Sequence, residues 1–220
     1  NGIDPERFEA TVRKLPFRCV YASSADRGLG TLLDIWAEVI KIEPEARLHV
    51  AYGWETMDRM IATGQRPGLA EFKEHLQGKI ESTPGVVWRG RLPQQDLAQL
   101  YMESVAWLFP TDFLEVSCIS AMEAMAGGAV PVSTACGALP ETIGDAGLLV
   151  PGPTTSRPYK DTFLHVAMGV LGEANNQLIY SQMGRERAKK LTWDRAYECW
   201  KQVLRLAEGK PVKKRRKALA

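Results

Sequence analysis

Residues 106–133 read AWLFPTDFLEVSCISAMEAMAGGAVPVS. Residues 106–110 are an apolar run of strand length, and 129–133 are another. Between them, residues 117–126 carry small and apolar side chains at helical spacing, and Gly127-Gly128 ends that run. Strand, helix and strand in this order form the unit of a parallel sheet.

The same alternation extends in both directions. Upstream, residues 17–22 (FRCVYA) form a first strand whose only charge is Arg18, and residues 23–27 turn after it. Leu29, Leu32, Leu33, Trp36, Val39 and Ile40 then recur at helical spacing up to Pro44. Residues 47–52 (RLHVAY) make a second strand, closed by Gly53. Residues 54–82 read as helix, broken between Gly64 and Gly68 by Pro67. Residues 86–88 start a third strand, ended by Gly90, and 94–103 place Leu97, Leu100 and Tyr101 on one helical face. Downstream, a short helix at 139–143 leads to a sixth strand at 148–150 and a loop at 151–158. Three helices follow, at 159–173, 176–191 and 193–208. Residues 1–14 show no sustained apolar period and read as a linker and a short polar helix.

About six short apolar strands alternating with helices predict an α/β fold. Its core is a doubly wound, Rossmann-like parallel sheet with flanking helices and closing C-terminal helices. The expected organisation is an entry segment (1–16), a nucleotide-binding sheet domain (17–152), its closing helices (153–209) and a disordered basic tail (210–220). Ligands of such sheets lie beyond the carboxyl ends of the strands, where strand order reverses.

Composition excludes several classes. With 220 residues, 45% hydrophobic and 25% charged, the chain has the make-up of a globular domain rather than a disordered or collagen-like one. Its length predicts one domain plus an extension. The chain opens on Asn1 with no signal peptide in view and reads as a piece of a longer protein. No apolar run approaches the roughly 18 residues of a membrane span. Cys19, Cys118, Cys136 and Cys199 lack CxxC spacing and read as reduced thiols of a cytoplasmic protein. His49, His75 and His165 lie far apart, so no metal-ligand set is expected. Lys213, Lys214, Arg215, Arg216 and Lys217 are five positives that take the rest of the chain from +2 to −3. The body therefore carries no nucleic-acid signature. The tail reads as a solvated end, with weak contact to an anionic membrane surface as the other reading. Trp193, Trp200, Leu204 and Leu206 read as core or interdomain contacts.

Two loops carry candidate chemistry. The first, residues 23–30, offers a helix N-terminus with Arg27 and Gly28, suited to an anion. Equally, Ser24 or Asp26 caps the helix and Arg27 is a solvated cation. A dinucleotide fingerprint is broken here, because Leu33 stands where the third glycine belongs. The second loop holds Glu115, with Glu123 eight positions on inside the helix. Ser117 and Cys118 bring small groups to that helix N-terminus, where a pyrophosphate can approach free N–H groups. Carboxylates clamp sugar hydroxyls well, although Glu115 alone is also a dipole-complementing acid. Glu123 lies among Ala121, Met122, Ala124, Met125 and Ala126, where a buried carboxylate needs a partner.

Glu115-x7-Glu123, followed by the AMAGGAVPV run, resembles the Glu-x7-Glu segment of retaining glycosyltransferases with the GT-B fold. That group includes glycogen synthases and mannosyltransferases of the family-four kind. Asn1-Gly2-Ile3-Asp4 resembles the entry to their carboxyl-terminal domain, and Arg27-Gly28 their Lys-Gly after its first strand. Gly90 with the stretch from Leu97 to Tyr101 is similar to their G-x(n)-L-x-x-x-Y segment. Gly137-Ala138-Leu139-Pro140-Glu141 and Gly147-Leu148-Leu149-Val150 are similar to their G-G-x-P-E and G-L-L-V stretches. The resemblance runs from Asn1 to about Pro151.

It implies the donor-binding half of an enzyme that moves a sugar from a nucleotide diphosphate sugar to an acceptor hydroxyl, with configuration retained. Glu115 would contact the donor sugar and Arg27 the diphosphate, a task metal ions perform in other transferases. Glu123 would hold the ribose, and the backbone of Val116, Ser117, Cys118 and Gly28 would cradle phosphate. No cofactor is implied beyond the donor. The partners implied are an acceptor sugar, lipid or protein and an N-terminal domain. The pattern departs at two places. The family's Gly-Arg is Tyr21-Ala22 here, with Arg89 or Arg91 as stand-ins, and its Gly-Phe-Gly is Val116-Ser117-Cys118. A non-catalytic nucleotide- or partner-binding module of the same fold is the alternative reading. A dinucleotide-dependent oxidoreductase is a third, resting on the sheet alone.

Overall fold

The computed structural model describes residues 1–64 and 66–208, so the basic run at 213–217 lies outside the described residues. Six strands form one sheet in the order β3-β2-β1-β4-β5-β6, every pair parallel. They are β1 (Arg18–Tyr21), β2 (Arg47–Ala51), β3 (Val86–Gly90), β4 (Ala106–Phe109), β5 (Val130–Thr134) and β6 (Leu148–Val150). β4 and β5 are buried along their whole length, as central parallel strands covered on both faces must be. Pro131 stands inside β5, where a missing donor would ordinarily break a ladder. Val130 N–H donates to Val105 on the β4 side, so Pro131 faces β6, which pairs only from Val132 onward.

The helices are α1 (Leu29–Ile42), α2 (Glu55–Ala62), α3 (Leu69–Ser82), α4 (Gln94–Glu103), α5 (Ile119–Ala126), α6 (Leu139–Ile143), α7 (Arg157–Gly172), α8 (Ala174–Ala188) and α9 (Trp193–Ala207). α1 packs with α3 and α7 in one layer, and α5 with α4 and α8 in the other. Small residues bring α5 close to its neighbours. Ala121 and Ala124 are fully buried, and a Cβ on Gly184 of α8 would meet Met125 at 3.4 Å. The carboxyl end of α5 is held by cations. Arg185 donates to the carbonyls of Ala126 (3.2 Å) and Gly127 (3.0 Å), and Lys14 to Gly127 (2.9 Å).

Three local expectations change. The entry segment holds a 3-10 turn at Pro5–Phe8 rather than a polar helix, and it is docked: Ile3 and Phe8 are buried. Ile3 N–H donates to Leu191 O at 2.9 Å, and Trp193 N–H to Ile3 O at 3.2 Å, stitching the segment to the α8–α9 junction. The helix expected from Ser117 starts at Ile119, because Cys118 is extended (φ −94, ψ 95). Trp193, Trp200, Leu204 and Leu206 do not join the core: all four are exposed, and α9 buries no residue against this domain, which leaves interdomain contact as the reading that remains of the two. Among the described residues no helix is long and apolar enough to cross a membrane.

Candidate functional site

β1 and β4 are neighbours although the chain places β2 and β3 between them, so strand order reverses between these two. The chain leaves their carboxyl ends for helices in opposite layers, α1 and α5, and such sheets bind ligands in the crevice at this point. Arg27 comes from the loop after β1 and Glu115 from the loop after β4. Across 88 positions of sequence, Arg27 Nη1 reaches Glu115 Oε1 at 2.8 Å. The Glu115 side chain is 6% exposed and that of Arg27 35%, so the pair has one dry partner and one at the solvent boundary. The guanidinium also lies 4.1 Å from the centroid of the Phe113 ring.

Local chemistry sets this geometry. Gly28 has φ +97, and a Cβ there would land on the Pro110 carbonyl oxygen. Only glycine lets the two loops touch at that point. Arg27 N–H and the Tyr21 hydroxyl both donate to Ser24 O, at 3.0 and 2.7 Å, which closes the turn. Neither Ser24 nor Asp26 caps α1. Its N-cap is Gly28, with no side-chain bond, and Asp26 pairs with Arg66 at 3.3 Å. On the β4 side, Glu115 N–H donates to Phe113 O (2.8 Å) and Glu115 O accepts from Ala138 N–H (2.6 Å). Gly137, at φ +55, packs flat on this backbone: a Cβ would stand 2.7 Å from Glu115 N. The loop after β5 thus holds Glu115 from below.

Val116, Ser117 and Cys118 form the approach to α5. Val116 is 91% exposed, Cys118 is buried, and no side chain caps the helix. The first N–H groups of α1 and α5 therefore lack side-chain caps on either side of the crevice, a setting suited to an anion. The Cys118 thiol is pushed up, chiefly by burial, which keeps it unreactive.

Glu123 makes no hydrogen bond to this pair. It is buried on α5, and its Oε1 accepts from Arg7 Nη2 at 2.8 Å, 116 positions away. Burial raises its carboxyl pKa, and the Arg7 guanidinium pulls it back. Sequence reasoning missed Arg7. A carboxylate among alanines demanded a cation, but nothing local said which. Tyr21, at the place of the family's Gly-Arg, is fully buried with its ring 5.8 Å from Phe109. Arg91 is exposed and lines a cavity of about 340 Å³ with Tyr52, Gly53, Glu55, Arg59 and Leu92, beyond the ends of β2 and β3. Trp54 stacks on Trp88 at 4.9 Å, a packing role at the end of that strand. Arg89 is exposed on β3 and lies within electrostatic reach of His49 on β2. Among the described residues no three His, Cys, Asp or Glu side chains gather around one point.

The geometry has relatives. A curated mannosylfructose-phosphate synthase of Agrobacterium fabrum is 28% identical over an alignment of 199 positions that covers 86% of this chain and 39% of that protein. The chain thus spans about two-fifths of that relative. The sucrose-phosphate synthase of Thermosynechococcus elongatus superposes with a TM-score of 0.70 at 20% identity, covering 94% of this chain and 51% of its own. The pneumococcal O-GlcNAc transferase GtfA, solved with UDP and GlcNAc, gives 0.65 at 17% identity over 89% of this chain and 37% of its own. The structural likenesses show the Rossmann-like sheet domain of a GT-B type of fold. The family model described as glycosyl transferases group 1 matches residues 17–161, from the first strand through the loops bearing Arg27, Glu115 and Glu123 into α7, and by that match the chain belongs to the group 1 glycosyl transferases.

Proposed function

We propose that this chain is the donor-binding half of a retaining glycosyltransferase, moving a sugar from a nucleotide diphosphate sugar to an acceptor hydroxyl. The observation that carries the reading is the meeting of Arg27 and Glu115 at the strand-order reversal, between two helix N-termini without side-chain caps. A diphosphate in this crevice meets the Arg27 fork and the N–H groups that start α1 and α5. Negative charge grows on the leaving phosphate as the glycosidic bond breaks, and donors already aimed at it lower the barrier. Glu115, held dry by Gly137 and Ala138, accepts hydrogen bonds from sugar hydroxyls and orients the anomeric carbon. Glu123 takes the ribose hydroxyls. The cavity beyond β2 and β3 receives the base, with Arg59 and Arg91 at its wall. The acceptor and its site belong to a further domain, as does the water-excluding wall of the cleft. Besides donor and acceptor, the scheme calls on no cofactor.

The test is Glu115→Ala in the complete enzyme. Loss of the sugar clamp should lower kcat at least about a hundredfold, with the thermal unfolding curve unchanged. Turnover at the wild-type rate would remove Glu115 from the site. The buried Tyr21 in place of a phosphate cation favours a second reading, a module that binds nucleotide without transfer. Tight UDP, GDP or ADP binding with no sugar transfer by the complete protein would select it.

A further inference from the structure

We infer that Arg7 is a positioning residue for nucleotide binding: by holding one carboxylate oxygen of Glu123, it presents the other to the ribose hydroxyls. The inference rests on the assignment of Glu123 to the ribose.

Four observations carry it. Arg7 and Glu123 are both largely buried, with side chains 15% and 11% exposed, and they meet at 2.8 Å. Arg7 comes from the entry segment, not from the sheet domain's own loops, and its backbone is fixed on both sides. Before it, Asp4 accepts from Glu6 N–H at 3.2 Å and Ile3 is stitched to the α8–α9 junction. After it, Phe8 is buried, with the guanidinium 5.5 Å from its ring. The second observation is economy of bonding. Arg7 spends Nη2 on Glu123, while its Nε is buried with no partner. A guanidinium that leaves a buried donor unpaired is not placed for its own satisfaction.

Third, the second oxygen of Glu123 takes no hydrogen bond from the described residues and is not among the buried orphans. A carboxylate with one oxygen tied and one open is set to accept from a vicinal diol. Fourth, the Tyr101 hydroxyl offers no substitute. The Tyr101 hydroxyl is buried and unpaired, within electrostatic reach of Glu123 but not bonded to it. Without Arg7, burial would favour the protonated carboxyl, which accepts less and aims at nothing.

The experiment compares UDP, GDP and ADP with their 2′,3′-dideoxy counterparts by calorimetry, on the whole chain as wild type, Arg7→Met, Arg7→Gln and Arg7→Lys. Wild type should prefer the ribose form by about tenfold or more, the worth of hydrogen bonds to a charged group. Arg7→Met and Arg7→Gln should lose most of that preference, and what remains should weaken further as pH falls. Arg7→Lys should recover part of it. The readout is a ratio within one variant, so a smaller folded fraction weakens both nucleotides alike and leaves it unchanged. A wild-type ratio and pH profile in Arg7→Met would overturn the role of Arg7 and leave the ribose assignment standing. A wild type with no ribose preference would overturn the assignment of Glu123 itself. Failure to bind any of the three nucleotides would remove both.

Discussion

His49 stands in the middle of β2, paired in register with Val20 and beside Val87 of β3, with its Nδ1 buried and unpartnered. Burial, with Arg18 and Arg89 nearby, depresses its pKa to about 4, and Glu103 opposes that weakly. Above the free value of 6.5 the imidazole is neutral in both folded and unfolded chains, and its contribution to stability is complete. Between 6.5 and about 4 the unfolded chain takes a proton that the folded one refuses, so that contribution is lost as pH falls. Urea unfolding midpoints of the wild type should drop over this range more steeply than those of His49→Val. Parallel pH curves would exclude His49 as the cause. The sequence marked His49 as a lone strand histidine. Besides burial, its sensitivity comes from Arg18 on β1 and Arg89 on β3, neither of them its chain neighbour.

At the scale of elements, the α5–β5 turn shows how a correct reading can rest on an incomplete reason. Gly127-Gly128 reads as a helix stop, and the helix does stop there. Only Gly128 is left-handed, at φ +71. Gly127 keeps a helical φ of −69 and is small because a Cβ would stand 2.7 Å from that of Tyr101 on α4. A Cβ on Gly128 would meet Arg185 Nε and Ser181 Oγ at 2.6 Å, so it would disturb the cation that holds the end of α5. Gly128→Ala should therefore cost more than about 1 kcal/mol of unfolding free energy, measured in denaturant. A loss within error would show that α8 yields without cost. The strands and helices themselves were legible, because apolar period and glycine punctuation are local signals. The docking of the entry segment was not, since its partners lie at Leu191 and Trp193.

The whole molecule carries one feature that its own core does not use. Trp193, Tyr197, Trp200 and Leu204 recur along one side of α9, and all four are exposed. Their spacing is that of a helix face meant for cover, and patches of this kind drive association when left bare. The chain by itself should therefore self-associate in sedimentation velocity. Trp200→Glu should reduce that association while shifting stability by no more than about 0.5 kcal/mol. A monomer at all concentrations, wild type and variant alike, would show that α9 hides its stripe.

By itself the sequence determined the alternating strands and helices, the parallel sheet, and the two loops that carry Arg27 and Glu115. These follow from period, glycine positions and the placement of Glu115, Glu123 and Arg27, all of which are local along the chain. Only the tertiary structure decided who faces whom. Arg27 meets Glu115 because β1 and β4 lie side by side, and Glu123 receives Arg7 because the entry segment folds back against α4, beside α5. Partner choice for a buried charge is set by what the fold brings within about 3 Å, which no local pattern encodes.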